Sequence, residues 1–180
     1  MAAGSEVTVG ALLLCEYERI KDEQRGRIAF RDGLIYAMLA STAAVLAASL
    51  RSEFEAGFLL LLPPVSVLLG WTYLINDQKI SAMGQYIRVT LAPRLAAVAG
   101  TNDEVFGWET AHREDARRVW RKRMQLAADL IAFVVMPAAA ILIYLLVGTL
   151  TAQLVVVSAL ETVAIIVLGA QIVLYADLSI

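Results

Sequence analysis

The sequence predicts an all-α membrane protein with four transmembrane helices in two hairpins and a small cytoplasmic helical region. Hydrophobic residues make up 59% of the chain and its mean hydropathy is +0.69, above the roughly half-apolar composition of soluble domains. Several uncharged stretches are long enough to cross a bilayer. Nearly all Lys and Arg residues lie before Leu34 or between Lys79 and Arg123, which by the positive-inside rule predicts that these segments and both termini are cytoplasmic.

The first hairpin is predicted over residues 34–76, after a cytoplasmic N-terminal helix over 1–33 that continues into span one. The segment LIYAMLASTAAVLAASL is uncharged and forms span one, and a short polar turn leads into span two. Pro63 and Pro64 remove two backbone donors, so this helix is expected to kink or to start late. Trp71 and Tyr73 fit the aromatic belt at a membrane interface.

The second hairpin is predicted over residues 129–176, with a cytoplasmic tail over 177–180. As one helix this apolar stretch would be roughly 70 Å long, too long for a bilayer. We divide it at a turn-like cluster into spans at about 129–147 and 154–176; the cluster consists of Gly148, Thr149, Thr151 and Gln153. Pro137 is expected to bend the third span. The two hairpins are either parallel repeats or two unrelated hairpins that obey the same charge rule.

The segment 77–128 between the hairpins is predicted to be cytoplasmic and helical. Apolar residues recur at spacings of three and four, at Met83, Ile87, Leu91, Leu95 and Val98. Asn76 or Asp77 can cap this helix, Pro93 should interrupt it, and residues 99–102 should end it. Thr101 and Glu104 have capping-box spacing for a further helix that runs into span three.

Acid-first pairs four residues apart predict helix on the cytoplasmic side of spans one and three. They are Glu23 with Arg27, Glu109 with Arg113, and Glu114 with Arg118. The helices are therefore expected to extend from near Ala11 to Leu50 and from near Asp103 to Val147.

Glu161 is the one ionisable residue inside a predicted span, where a bare carboxylate is costly and normally faces protein or water. Ser158 lies three residues earlier on the same face and Thr162 is adjacent, so the three can line a pore or a proton-linked site. Gln171 can extend this surface. The alternative is structural: Glu161 is protonated or hydrogen-bonded to another span, with Ser41, Thr42 and Ser66 as candidate partners.

A basic cluster precedes span three and consists of Arg113, Arg117, Arg118, Arg121, Lys122 and Arg123. Such a cluster anchors the topology and contacts anionic head groups. A site for a small anionic signal, with Trp108 and Trp120 stacking on it, is the alternative, although no glycine-rich phosphate loop is present.

Enzymatic chemistry has little support in the sequence. His112 is the only histidine and Cys15 the only cysteine, so neither a metal site nor a disulfide is expected. We expect Cys15 to be a small packing residue. Nucleophile-elbow and Walker motifs are absent. We therefore expect no catalytic residues, no cofactor, and no nucleic-acid partner for a chain of net charge -2.

The segments YERIKDEQRGRIAFRDGLIYAML and PPVSVLLGWTYLINDQKISAMGQYIR resemble small bacterial integral membrane proteins. The layout is loosely similar to that of SLATT-type membrane effectors, over about residues 16–150. Those effectors pair transmembrane hairpins with cytoplasmic helices and are proposed to open pores. The resemblance implies a pore, and the four spans here depart from a two-span arrangement.

Three functional classes follow. The first is a homo-oligomeric pore in the bacterial inner membrane, gated from its cytoplasmic helices, with Glu161 facing a shared lumen. The second is a small proton-coupled transporter, and the third is a non-conducting scaffold that recruits a cytoplasmic protein. Small residues in all four spans permit the close helix packing that assembly in the bilayer needs.

Overall fold

A computed structural model of the chain describes residues 7–50, 55–101, 103, 105–107 and 118–176. These residues form helices and no strand. Four helices are long and apolar enough to cross a membrane. The predicted fold class, an all-α protein with four membrane-spanning helices, is therefore confirmed.

The four helices follow one another along the chain, and two of them change their winding along their length. α1 is Val9–Ser49 and α4 is Ala152–Tyr175. α2 is a continuous succession of a 3-10 turn, an α-helix, a π-helical turn and an α-helix, at Ala56–Leu61, Leu62–Tyr86, Ile87–Leu91 and Ala92–Ala99. α3 likewise consists of Arg118–Leu130, the π-helical Ile131–Val135, and Met136–Val147.

Several local predictions are confirmed. Helix α2 ends at Ala99, where Gly100 takes a left-handed conformation with φ of 65°, which costs glycine little because it has no Cβ. Arg27 pairs with Glu23 at 2.6 Å. The pairs Glu109 with Arg113 and Glu114 with Arg118, and the capping role of Glu104, fall outside the described residues.

Three local predictions are wrong. Neither Asn76 nor Asp77 caps a helix, because α2 passes through both without interruption. Cys15 is exposed rather than packed. Gln153 lies in the first turn of α4 rather than in the preceding turn; Thr151 caps that helix by accepting a hydrogen bond from the Leu154 N–H at 3.4 Å.

The prolines explain the changes in winding. Pro63 and Pro64 lie in the first turn of the α-helical part of α2, directly after the 3-10 turn, so the winding changes where two successive N–H donors are missing. Pro93 and Pro137 each come two residues after a π-helical turn. A proline inside a helix cannot donate to the carbonyl four residues before it, and its ring crowds that carbonyl. The wider π turn relieves this crowding.

The chain divides into two compact units. The first consists of Met1–Ala29 and Asp77–Arg118, and the second of Phe30–Asn76 and Val119–Ile180. Helices α1 and α2 each contribute residues to both units. The predicted segmentation into 1–33, 34–76, 77–128, 129–176 and 177–180 concerns where the bilayer lies, and it stays a prediction.

The first unit has a small apolar core along α1 and α2, formed by Leu13, Ile87, Leu91 and Leu95. Tyr17 stacks on Phe106 with ring centroids 3.8 Å apart. Phe106 has a φ of 62°, an unfavourable conformation for a bulky side chain. The aromatic stack compensates part of that strain and holds the chain after α2 against α1.

The second unit is a bundle in which all four helices share one core. Its buried residues include Met38 of α1, Leu62 of α2, Phe133 of α3 and Leu168 of α4. A Cβ added at Gly70 would lie 2.7 Å from a Leu168 methyl group, so α2 approaches α4 closely only because position 70 has no side chain.

A hydrogen bond crosses this core between the two hairpins. The Ser66 hydroxyl of α2 donates to the Phe133 carbonyl of α3 at 2.7 Å, and both residues are fully buried. The Phe133 carbonyl is the one that the N–H of residue 137 would normally bond, and Pro137 has no N–H. Ser66 therefore supplies a donor that the local sequence of α3 withholds.

We predict that Ser66→Ala destabilises the protein by about 1–2 kcal/mol, because it leaves a buried carbonyl without its donor. In a Pro137→Ala background, residue 137 can donate to Phe133, so the same Ser66→Ala change should cost clearly less. The measurement is a double-mutant cycle of unfolding in mixed micelles. Ser158→Ala is the matched control, since this buried serine bonds only its own helix. Additive costs in the cycle would contradict the assignment.

Candidate functional site

Glu161 occupies a core-facing position of α4. The helix turns a stripe of residues at alternating spacings of three and four toward the bundle, and Glu161 stands within it; the stripe is Leu154, Ser158, Glu161, Ile165, Leu168 and Ile172. This is the pattern of an inward helix face. A carboxyl group therefore stands where the pattern calls for an apolar side chain.

The Glu161 carboxyl has an oxygen, Oε2, that is buried and has no hydrogen-bond partner among the described residues. The neighbouring hydroxyls bond elsewhere: Ser158 donates to the Leu154 carbonyl at 2.8 Å, and Thr162 donates to the Ser158 carbonyl at 2.7 Å. Both bonds lie within α4. The polar residues beside Glu161 thus satisfy themselves rather than the acid.

Three hydroxyl groups on other spans were candidate donors to Glu161 if its role is structural. Ser41 donates to the Ala37 carbonyl and Thr42 to the Met38 carbonyl, both within α1. Ser66 donates to Phe133. Each hydroxyl has a single hydrogen to donate, so none of the three locks Glu161 in place in this structure.

Gln171 is half-buried on α4, ten residues beyond Glu161. At ~1.5 Å per residue this places the two side chains about 15 Å apart along the helix. The buried apolar residues Ile165 and Leu168 lie between them on the inward face. The structure therefore does not join Gln171 to Glu161 in one polar surface.

The centre of the bundle is filled by apolar side chains. Met38, Phe133 and Leu168 are each 0% exposed and belong to one contiguous core. The bundle formed by the described residues of a single chain therefore holds no aqueous path along its middle at this level.

A second polar site lies in the same unit, on α2 and α3. Tyr73 is buried, and its hydroxyl accepts a hydrogen bond from Gln125 Nε2 at 3.2 Å and is also hydrogen-bonded to Asp129. Asp129 is buried as well. The Arg31 guanidinium lies close enough to act on the same hydroxyl and pairs with Asp32 at 3.3 Å.

Tyr73 is buried in the bundle, so its ring does not face a membrane interface, and its predicted place in an aromatic belt is wrong. Tyr73 follows Gly70 by three residues and Ser66 by seven, so it lies on the same inward stripe of α2. That spacing is the signal that could have identified it. Trp71, on a different face, is exposed.

The basic cluster is described only in part. Arg113 and Arg117 fall outside the described residues, and only the backbone of Arg118 is described. Arg121 and Arg123 are exposed and Lys122 is half-buried, all in the first turns of α3. This placement fits either contact with head groups or an anion site.

Two side-chain hydrogen bonds join α1 and α2 in the first unit, and one of them is from Gln24 Nε2 to the Ile80 carbonyl at 3.4 Å. The Tyr86 hydroxyl donates to Glu16 at 2.6 Å, and this hydrogen bond to the carboxylate raises the pKa of Tyr86. The contact joins α2 to α1 in this unit. Among the described residues, no group of three His, Cys, Asp or Glu side chains is arranged to hold a metal.

Comparisons with protein-family models, with curated proteins and with solved structures gave no match for this chain.

We predict that Glu161→Leu raises the free energy of unfolding by about 1–3 kcal/mol, because it removes an unsatisfied polar group from an inward position. Glu161→Gln keeps a buried polar group and should gain less. Unfolding in mixed micelles measures both. A loss of stability in Glu161→Leu would show that the carboxyl holds the bundle together and would restore the structural interpretation.

Proposed function

We propose that this chain is a multi-pass protein of the bacterial inner membrane that assembles into an oligomeric pore or channel, gated from its cytoplasmic helices. The observation that carries the proposal is the Glu161 carboxyl, which lies within an apolar helix with one buried oxygen that has no partner in the described part of the chain. Intramembrane acids of this kind face protein or water.

The cost of an unsatisfied carboxyl oxygen explains why a partner is expected. Burying a polar group without a hydrogen bond costs about 1–3 kcal/mol in proteins. Ser158 and Thr162 direct their hydroxyls at the backbone of α4, so they do not offset this cost. A water molecule, an ion or a neighbouring copy would supply the missing partner.

The packing within one chain supports a conducting path between copies rather than through a single bundle. Because Met38, Phe133 and Leu168 fill the centre of the bundle, ions would pass between copies. Only 22% of the most apolar stretch of α1, and the same share of α4, is buried within the chain. Glu161 is half-buried and Thr162 beside it is exposed, so this edge of α4 is accessible to a neighbouring copy.

The proposed orientation places the first unit in the cytoplasm. The exposed Arg19 and Arg25 of α1 and Arg94 of α2 lie in that unit, and basic residues concentrate on the cytoplasmic side. The exposed Arg121 and Arg123 would contact anionic lipid head groups. A small anionic signal or a cytoplasmic protein would act on this side. The resemblance to SLATT-type effectors adds support for a pore.

A proton-coupled transporter is the second candidate, and one observation favours it. The bundle holds carboxyl groups at two depths, Asp129 on α3 and Glu161 on α4. A Cβ on Gly169 would lie 3.3 Å from Val134, and this register places the two acids about 20 Å apart along the axis at ~1.5 Å per residue. The apolar residues Phe133 and Leu168 lie between these depths, as in a carrier closed at its middle.

We predict that Cys15, the only cysteine and an exposed one, is protected in intact cells from a membrane-impermeant maleimide and labelled after permeabilisation. In a Cys15→Ser background, Thr149→Cys in the exposed α3–α4 connection should show the opposite pattern, because it lies at the other end of the span. Labelling of Cys15 in intact cells would reverse the proposed orientation.

We predict that purified protein in liposomes conducts ions and that Glu161→Gln changes this flux at least severalfold at matched incorporation, because a charge at a lumen alters ion occupancy. Gln171→Leu is the matched control, since Gln171 is separated from Glu161 by apolar residues and should leave flux unchanged.

Three outcomes separate the functional classes. Flux that depends on Glu161 at all pH values supports the pore. Proton uptake that requires a co-substrate and disappears in Glu161→Gln supports the transporter instead. Silence of both proteins across voltage and pH, with cytoplasmic extract added, contradicts conduction and favours the scaffold.

A further inference from the structure

A buried polar cluster in the four-helix unit has no role in the proposed pore so far. It consists of Tyr73, Gln125 and Asp129, with Arg31 at its edge. Tyr73 is 3% exposed and Asp129 is 7% exposed. The Tyr73 hydroxyl bonds two side chains of α3 at once, which offsets part of the cost of burying these polar groups. Asp129 Oδ1 is buried without a hydrogen-bond partner among the described residues.

The cluster draws on the three helices that connect the two units. α1 enters the four-helix unit at Phe30, and the charge of its Arg31 acts on the Tyr73 hydroxyl; α2 leaves that unit after Asn76 and contributes Tyr73. α3 enters at Val119 and contributes Gln125 and Asp129. Helix α4, which lies wholly within this unit, contributes nothing to the cluster among the contacts described.

The cluster also contacts the residue that fills the centre of the bundle. The Tyr73 ring lies against the Phe133 ring, with centroids 5.2 Å apart and planes tilted by 42°. Phe133 lies in the π-helical turn of α3, a feature that interrupts regular helical hydrogen bonding and is frequent at functional sites. A shift of Tyr73 relative to α3 would therefore change its contact with the Phe133 ring.

We infer that the hydrogen bonds between Tyr73 and the pair Gln125 and Asp129 form the inner gate of this protein, a joint that holds α2 and α3 together in the closed state. The inference that opening this joint permits conduction rests on the proposed pore. The existence of the joint does not depend on the proposed pore, because the joint is formed within a single chain.

The test uses the full chain in liposomes and compares Tyr73→Phe with Tyr144→Phe. The first change removes only the hydroxyl of the cluster and keeps the ring against Phe133. The second removes the hydroxyl of another buried tyrosine, which donates to the Thr149 carbonyl at 3.0 Å near the other end of the bundle. Spin labels at Ile75→Cys and Met124→Cys, both exposed positions, report the α2–α3 separation in a Cys15→Ser background.

We expect Tyr73→Phe to raise the population of a longer α2–α3 distance by about tenfold, the shift that losing one to two hydrogen bonds produces. Tyr144→Phe should have the same α2–α3 distance distribution as the parent protein. Ion flux without any added trigger should rise in Tyr73→Phe by a similar factor and stay unchanged in Tyr144→Phe.

The outcomes separate the joint from the pore. If Tyr73→Phe and Tyr144→Phe give the same distance distribution, the inference is overturned. If the distances respond while the parent and both variants conduct no ions, the joint stands and the pore fails. If the parent conducts and Tyr73→Phe conducts equally, the cluster is not the gate. Should Tyr73→Phe fail to fold, Gln125→Leu removes the other side of the same bond and must shift the distance in the same direction.

Discussion

The four-helix unit depends on one hydrogen bond, from the hydroxyl of Ser66 to the carbonyl of Phe133. In a bilayer the apolar effect does not hold helices together, since lipid is as apolar as the side chains, and a buried polar contact fixes which helix faces meet. Pro137 creates the need for this contact by withholding an N–H, and Ser66 supplies it from the other hairpin. Without Pro137 the Phe133 carbonyl would have a donor in its own helix, and without Ser66 it would have none. The two hairpins are therefore matched through the missing N–H of Pro137 as well as through apolar packing.

Once Ser66 faces Phe133, helical periodicity determines the rest of the inward face of α2. Gly70, one turn further on, leaves room for Leu168 of α4, and Tyr73 comes next and meets α3. The same contact sets the rotation of α3, which brings Gln125 and Asp129 toward Tyr73 two and one turns before Phe133. The polar cluster is therefore a consequence of the register that the Ser66 bond fixes, and the side chains that fill the centre of the bundle lie between that cluster and Glu161.

The sequence was sufficient to predict the helices, but it was insufficient to predict which side of each helix faces the core. Long uncharged stretches bounded by charge leave few structural choices, because the backbone in lipid must satisfy its own hydrogen bonds; this is why the helix end at Val147 agrees with the structure. The helix end at Ala99 lies outside the predicted spans, and Gly100 indicated it. The burial of Tyr73 was missed because a tyrosine near the end of a span is equally compatible with an interface and with a core, and only the partner helix decides. Asn76 and Asp77 are residue types that often cap a helix, yet α2 continues through both of them. The inward position of Glu161 was within reach, since Ser158, Ile165 and Leu168 already define the face.

The two acids of the bundle, Asp129 and Glu161, have different contacts, and this difference indicates which of them has a structural role. Asp129 is hydrogen-bonded to the Tyr73 hydroxyl, which contributes to how α2 and α3 are held, and its other oxygen, Oδ1, is buried without a hydrogen-bond partner among the described residues. Glu161 also has a buried oxygen, Oε2, without a partner, and none of the described hydrogen bonds joins its carboxyl group to another helix. A protein selected for stability alone would place leucine there, because the stripe around it is otherwise suited to apolar packing. The retention of a destabilising carboxyl at an inward position is the pattern expected when a residue acts on something that the folded chain does not itself contain.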